Sequence, residues 1–112
     1  MTDLGDWAAV HAYACGLPGA EDSTYYGGPA VKAKASGRPV VTLGHEAGSF
    51  CLHIDADHKA MLLDIDPDRF WQTPHYANWP ALLVRYGPGE GVKDWIDRAL
   101  ELAAARKPAR KR

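Results

Sequence analysis

Residues 30–54 read AVKAKASGRPVVTLGHEAGSFCLHI, and this stretch decides the fold. Ala30 to Lys34 alternates small apolar side chains with lysines, the period-two pattern of a strand. Ala35-Ser36-Gly37-Arg38-Pro39 reads as a hairpin turn. Val40 to Leu43 predicts a second strand, Gly44 to Ser49 a further turn, and Phe50 to Ile54 a third strand. Strands joined by such short turns must run antiparallel, because a parallel return needs a crossover of a dozen residues or more.

Helices flank this meander. Upstream, Leu4, Trp7, Ala8, His11, Ala14 and Cys15 recur at three- and four-residue steps, with Thr2 or Asp3 placed to cap the helix and Gly16 and Pro18 to end it. Gly19 to Pro29 reads as a connection, turned by Gly27-Gly28-Pro29. Downstream, Asp55 or Asp57 is placed to cap a short helix with Ala60, Met61 and Leu63 as its apolar stripe, and Pro67 lies beyond its end. Phe70-Trp71-Gln72 predicts a short strand, Thr73 to Pro80 an aromatic, proline-rich loop, and Ala81 to Tyr86 a strong strand broken by Gly87-Pro88-Gly89. The last helix is the clearest, with Val92, Trp95, Ile96, Ala99, Leu100 and Ala103 on one face. Lys93/Asp97 and Asp94/Arg98 sit at i,i+4 on the other, pairs worth a few tenths of a kcal/mol each. The order α-β-β-β-α-β-β-α predicts an α+β fold, a two-layer sandwich with helices on one face of an antiparallel sheet.

The 112 residues fit one domain over 1–105, followed by a basic tail, 106–112, expected to be disordered. That tail holds Arg106, Lys107, Arg110, Lys111 and Arg112, which leaves eight basic against fourteen acidic residues in the body, a net of −6. A body of that sign lacks the overall basic face of a general nucleic-acid binder. The acidic N-terminus, with no long apolar run after it, predicts a cytoplasmic protein, and no segment approaches the roughly 20 apolar residues of a membrane helix. Two cysteines, Cys15 and Cys51, are too few for a disulfide framework and are expected as free thiols.

Several segments together resemble the MmcQ/YjbR-like family of small bacterial proteins. They are Leu17-Pro18-Gly19; Ser23-Thr24-Tyr25-Tyr26-Gly27-Gly28-Pro29-Ala30-Val31-Lys32; Leu52-His53-Ile54-Asp55; Phe70-Trp71-Gln72-Thr73-Pro74-His75-Tyr76; and the strand at 81–86 with its closing helix. The resemblance spans about residues 4–106 and rests on the order and spacing of these pieces. It implies the helix–sheet–helix sandwich of frataxin (a CyaY-like fold), and family members carry a DNA-binding label. The chain departs from the family pattern at Val31, where an aromatic is common, and at Pro80; the first change is expected to alter a pocket at the sheet edge.

Parity along each strand sorts the chemistry. Val31, Ala33, Phe50, Leu52, Ile54, Leu82 and Val84 belong inside. Lys32, Lys34, Cys51, His53, Leu83 and Arg85 then fall on the open face, with Thr42 beside them and Arg38 at a rim turn. Lys32, Lys34, Arg38, His53 and Arg85, with His75, Tyr76 and Trp79 on the neighbouring loop, form a candidate surface for an anion or a nucleic-acid strand. The expected role is a monomeric, non-enzymatic binding module for an anionic partner such as DNA. The alternative is a small-molecule binder, or an enzyme, with a pocket near His53, His75 and Tyr76. Cys51, His53, Asp55 and His58 are metal-ligand types, but ligands spaced this closely along one strand rarely close a tetrahedron, Asp55 and Asp57 sit where a helix cap is expected, and His58 falls in the first helical turn; no metal and no cofactor are expected. Frataxin-type iron binding uses a strongly acidic first helix, where this one offers only Asp3 and Asp6. No nucleophile elbow, phosphate loop or carboxylate pair is present, so no catalytic residue is assigned.

Overall fold

The computed structural model describes residues 3–44 and 46–107; of the expected basic tail, residues 108–112 lie outside the described range. Helix α1 (Trp7–Cys15) is followed by strands β1 (Ala20–Tyr25), β2 (Gly28–Ala33), β3 (Pro39–Thr42) and β4 (Ser49–His53). Helix α2 (Ala56–Ile65), strand β5 (Phe70–Trp71), a single 3-10 turn (Pro74–Tyr76), strand β6 (Ala81–Arg85) and helix α3 (Val92–Ala105) complete it. The six strands form one antiparallel sheet in the order β1-β2-β3-β4-β6-β5. The expected α+β sandwich is therefore the observed architecture, with one strand more than the sequence pattern indicated.

That extra strand is β1. Its sequence, AEDSTY, buries only Ala20, because it is the edge strand and water reaches most of its side chains. A polar edge strand has no hydrophobic alternation to read, and its acidic residues deter pairing with another chain. It joins β2 through the two-residue turn Tyr26-Gly27, both with positive φ (50° and 81°), the mirror-image hairpin turn that matches strand twist.

All three helices pack on one face of the sheet. Val31, Val41, Phe50, Leu52, Leu82 and Val84 meet Val10 and Ala14 of α1, Leu62 of α2, and Val92, Ile96, Ala99 and Leu100 of α3 in one core. Val31 is thus a core residue facing helices; it does not shape a pocket at the sheet edge.

Three helix details differ from expectation. Helix α1 is apolar nearly all round, so its pattern does not choose a face; packing turns Val10 and Ala14 inward and leaves Ala8 exposed. Its cap is Asp6, whose Oδ1 accepts from Ala9 N at 2.9 Å. Asp3 instead joins two distant elements, accepting from Gly89 N at 2.6 Å and pairing with Lys93 at 2.8 Å, which holds its carboxyl down at about 2. On α2 the buried side chains are Lys59 and Leu62, while Ala60 and Met61 face solvent. Asp55 is the N-cap residue but makes no capping bond; its carboxylate meets His58. On α3 neither i,i+4 pair forms: Asp97 accepts from the Tyr13 hydroxyl at 2.6 Å, and Arg98 reaches Glu101 at 3.4 Å.

The α2 orientation gives a contrast between sequence neighbours. Leu62→Ala lowers the unfolding free energy in urea by about 2–4 kcal/mol through lost burial and a residual cavity. Met61→Ala costs less than about 0.5 kcal/mol. A larger loss at Met61 than at Leu62 would mean that the helix turns its other face to the core.

Candidate ligand pocket on the outer sheet face

The sheet face away from the helices is not open. Cys51, Ala81 and Leu83 lie on it, as strand parity predicts for Cys51 and Leu83, yet all are buried, and Thr42 beside Cys51 is buried too. Tyr76 covers them, with Trp71 packed alongside, in a second small apolar cluster. The roof is the segment 72–80, which the sequence marks as a loop but whose position it does not reveal.

What holds that roof is Lys59. Its side chain runs from α2 to the segment, where Nζ donates to the carbonyls of Tyr76 at 2.6 Å and Trp79 at 2.8 Å, with Ala77 O at 3.5 Å. The residue is only 6% exposed. An ammonium has three donors, and three carbonyls surround this one. Burial pushes its pKa below the ordinary lysine value. Local bonds complete the roof: Tyr76 N donates to Thr73 O, Trp79 N to Tyr76 O, and Ile54 N to Pro80 O.

Between this roof and the β1–β2 hairpin lies a cavity of about 530 Å³. Six rings line it: Tyr25, Tyr26, His53, His75, Tyr76 and Trp79. They touch in sequence around it. Tyr25 meets His53 edge-on at 5.3 Å and Tyr26 at 4.6 Å; Tyr26 faces Trp79 at 6.3 Å; Trp79 adjoins His75 at 5.4 Å and Tyr76 at 6.1 Å. Gly44 closes the wall without a side chain, since a Cβ there would lie 3.0 Å from the Tyr76 hydroxyl. Cys51 and Thr42 form part of the floor.

Tyr26 is unusual twice over. It is 85% exposed, and it holds a left-handed backbone conformation in a turn that favours asparagine or glycine. Such strain costs on the order of 1 kcal/mol and marks positions where side-chain identity matters more than local stability.

Burial shifts four titratable groups of the pocket, Cys51, His53, Tyr25 and Tyr76, toward their uncharged forms. Burial pushes the Cys51 thiol up to about 11, so it is not the nucleophilic thiolate. Burial pushes His53 down to about 4, and Thr42 Oγ1 is hydrogen-bonded to its Nε2 at 3.0 Å. Burial also raises the Tyr25 and Tyr76 phenols. A floor and walls of this kind favour an apolar or neutral guest, because an unpaired charge placed there loses its hydration without compensation.

The eight residues expected to form one anion-binding surface separate into two sets. His53, His75, Tyr76 and Trp79 converge on the pocket. The cations do not join them as a patch. Lys32 sits 5.9 Å from the centre of the Tyr25 ring and opposite Glu21 across the β1–β2 pair. Lys34 is exposed beyond the end of β2. Arg38 donates to Lys107 O at 3.0 Å. Arg85 lies at the far end of β6, over the Trp71 ring and bonded to Asp68 O. Tyr25, Tyr26 and Lys59 were not among the candidates. The pair Tyr25-Tyr26 before Gly27-Gly28 is a legible signal of aromatic side chains on a hairpin; nothing in the sequence distinguishes Lys59 from a surface lysine. Among the once-considered metal ligands, His58 pairs with Asp55 and His53 bonds Thr42, while Cys51 is buried under Tyr76.

Comparison of the chain with protein-family models, with curated proteins and with solved structures finds no match.

Two outcomes follow from this geometry. Lys59→Met leaves the Tyr76 and Trp79 carbonyls without their donor and costs about 1–3 kcal/mol, with loss of the near-ultraviolet circular dichroism of the roof aromatics; an unchanged spectrum would show that the roof does not depend on Lys59. His53 is harder to protonate in the folded chain than in the unfolded one, where histidine titrates near 6.5. Its contribution to stability is complete above pH 6.5 and falls as the pH drops toward 4, by about 1–3 kcal/mol. Its NMR titration therefore has a midpoint well below 6; a midpoint at 6.5 contradicts the buried neutral ring.

Proposed function

We propose that this chain is a non-enzymatic binding module, MmcQ/YjbR-like in family, which takes a small, flat, uncharged molecule into the outer-face pocket. The observation that carries this reading is the set of six aromatic and imidazole rings lining about 530 Å³, above a floor where Cys51 and His53 are held neutral by burial. Rings set at different tilts offer both faces and edges to a planar guest. Thr42, the phenols and the imidazoles supply a few directional hydrogen bonds, the usual division of labour in a ligand site. The chemical class is a heteroaromatic or similar flat ring system. The module works as a monomer in the cytoplasm in this reading. No helix among the described residues is long and apolar enough to cross a membrane.

The test is a melting-temperature and tryptophan-fluorescence titration with indole, adenosine and a short single-stranded oligonucleotide. Indole or adenosine raises the melting temperature of the wild-type chain with mass-action concentration dependence, and Trp79→Ala with Tyr26→Ala removes the effect. No shift with any flat heterocycle at millimolar concentration would refute the proposal.

An anionic partner such as DNA is the second reading, and Lys32 favours it, since its ammonium flanks Tyr25 at the pocket wall and could meet a phosphate next to a stacked base. In that case the oligonucleotide binds more tightly than adenosine. Its affinity then falls steeply with salt, and Lys32→Glu lessens it.

Tyr26→Asn separates function from fold. The left-handed position accepts asparagine, so the melting temperature is unchanged or rises by a few degrees, while ligand binding weakens. A fall of several degrees would assign Tyr26 to the fold itself.

A further inference from the structure

On the helix side of the sheet, remote from the pocket, three metal-ligand types converge. His11 and Cys15 are one turn apart on α1, so their side chains share a face. Asp22 comes from β1, opposite Val31 and therefore on the side facing the helices. His11 Nε2 lies 2.7 Å from Asp22 Oδ1 and 3.5 Å from Cys15 Sγ, and one donor atom from each residue lies within 4.8 Å of the others.

We propose that His11, Cys15 and Asp22 form a binding site for a divalent cation of the zinc class, with solvent completing the coordination.

The geometry distinguishes this from a catalytic relay. In a cysteine–histidine–carboxylate relay the thiol and the acid address opposite ring nitrogens. Here Asp22 Oδ1 addresses Nε2, while Sγ, 3.5 Å from Nε2 and 3.9 Å from Nδ1, lies in line with neither ring nitrogen. The three donor atoms all lie within 4.8 Å of one another, within reach of one ion after small side-chain rotations. Tetrahedral zinc, with bonds of about 2.0–2.3 Å, needs donor separations of roughly 3.3–3.8 Å. The His–Cys spacing already fits, and the His–Asp spacing opens by under about 1 Å when the hydrogen bond is replaced by the metal.

The ligand set also suits the ion. A thiolate, an imidazole and a carboxylate form the mixed sulfur–nitrogen–oxygen set that a borderline ion accepts and that magnesium or calcium does not. Metal-free, the site is unfavourable for the sulfur. Partial burial and the adjacent Asp22 carboxylate both hold the Cys15 thiol protonated. A dication reverses that balance: the S–H bond breaks, its electron pair becomes the metal–sulfur bond and the proton leaves to solvent, while the ring proton held against Asp22 moves from Nε2 to Nδ1 and frees the Nε2 lone pair for the metal. Thiolate and carboxylate together then match its charge. Access is direct, because His11 and Cys15 are half-buried and the Asp22 side chain is 75% exposed. Three protein ligands with an open fourth position is the arrangement of an exchangeable or reactive zinc, in contrast to a closed structural one.

The experiment is titration of the full chain, reduced and metal-free, with Co²⁺ and then Zn²⁺. One equivalent of Co²⁺ produces thiolate-to-cobalt charge-transfer absorption and the strong visible bands of a tetrahedral site, and Zn²⁺ displaces it. Cys15→Ser abolishes the charge-transfer band. His11→Gln and Asp22→Asn each weaken binding at least about tenfold, a loss seen even for outer-shell partners of bound metals. Asp57→Asn, at an exposed carboxylate on α2, leaves the band unchanged. The absence of a band from the folded wild-type chain, or its survival in Cys15→Ser, overturns the proposal, as does binding that follows His75 in place of His11. A check that needs no variant is alkylation of the wild-type chain mapped by mass spectrometry. Zn²⁺ slows modification of Cys15, with buried Cys51 as the internal reference; equal rates with and without Zn²⁺ also refute the site.

Discussion

One buried ammonium group decides whether this protein has a pocket. Segment 72–80 has two prolines, forms no ladder with the sheet, and carries carbonyls that need donors. Lys59 supplies them, from a helix that Leu62 anchors in the main core. The dependence runs in one direction. Core packing orients α2, α2 aims Lys59, Lys59 ties down Tyr76 and Trp79, and those rings convert a sheet face into the wall of an open pocket. The arrangement is electrostatically unusual, because no carboxylate pairs with Lys59 within 4 Å among the described residues. Carbonyl dipoles alone hold the charge, at a cost visible in the depressed lysine pKa.

The pocket and the net charge of the body point to different kinds of partner. Fourteen acidic against eight basic residues over 1–105 make a surface that repels polyanions at long range. In the pocket, desolvation holds Cys51 and His53 neutral. The cations once grouped with it are tied to local structure elsewhere: Arg38 to a backbone carbonyl, Arg85 to Trp71 and Asp68 at the far end of β6, and Lys32 beside Tyr25.

Helix α3 was legible because its burial is one-sided, with one apolar face on the core. The β2–β4 meander and β6 were legible as apolar, β-branched runs bounded by short turns, although β4 and β6 are buried on both faces. Strand β1 was illegible because an edge strand wetted along most of its length has no such contrast. Helices α1 and α2 existed as expected. The predicted face of α1 is largely the buried one, with Leu4 and Ala14 in the core and Trp7 and Cys15 against it, but it omits Val10 and includes exposed Ala8. On α2 Leu63 packs on the core while Ala60 and Met61 face out, and a lysine is buried where pattern rules place a charge outside. The site was half legible. Parity put Cys51 and His53 on the correct face, and His75, Tyr76 and Trp79 were marked by their loop. Parity could not show that the loop folds back over that face, since that depends on the contact between Lys59 and carbonyls about twenty residues away.

The turn at Tyr26-Gly27 has a consequence for how such a protein diversifies. The pocket floor is shared with the fold, so changes at Cys51 or Leu83 are felt as instability. The rim is not shared. It sits on a two-residue hairpin at the sheet edge, where doubling the loop length costs only about 0.6 kcal/mol of closure entropy. Descendant sequences can lengthen that hairpin, or exchange its exposed ring, and reshape the rim while inheriting the scaffold intact. Variation clustered at 25–28 among relatives would then record shifts of ligand, with the lysine-held roof as the inherited constant.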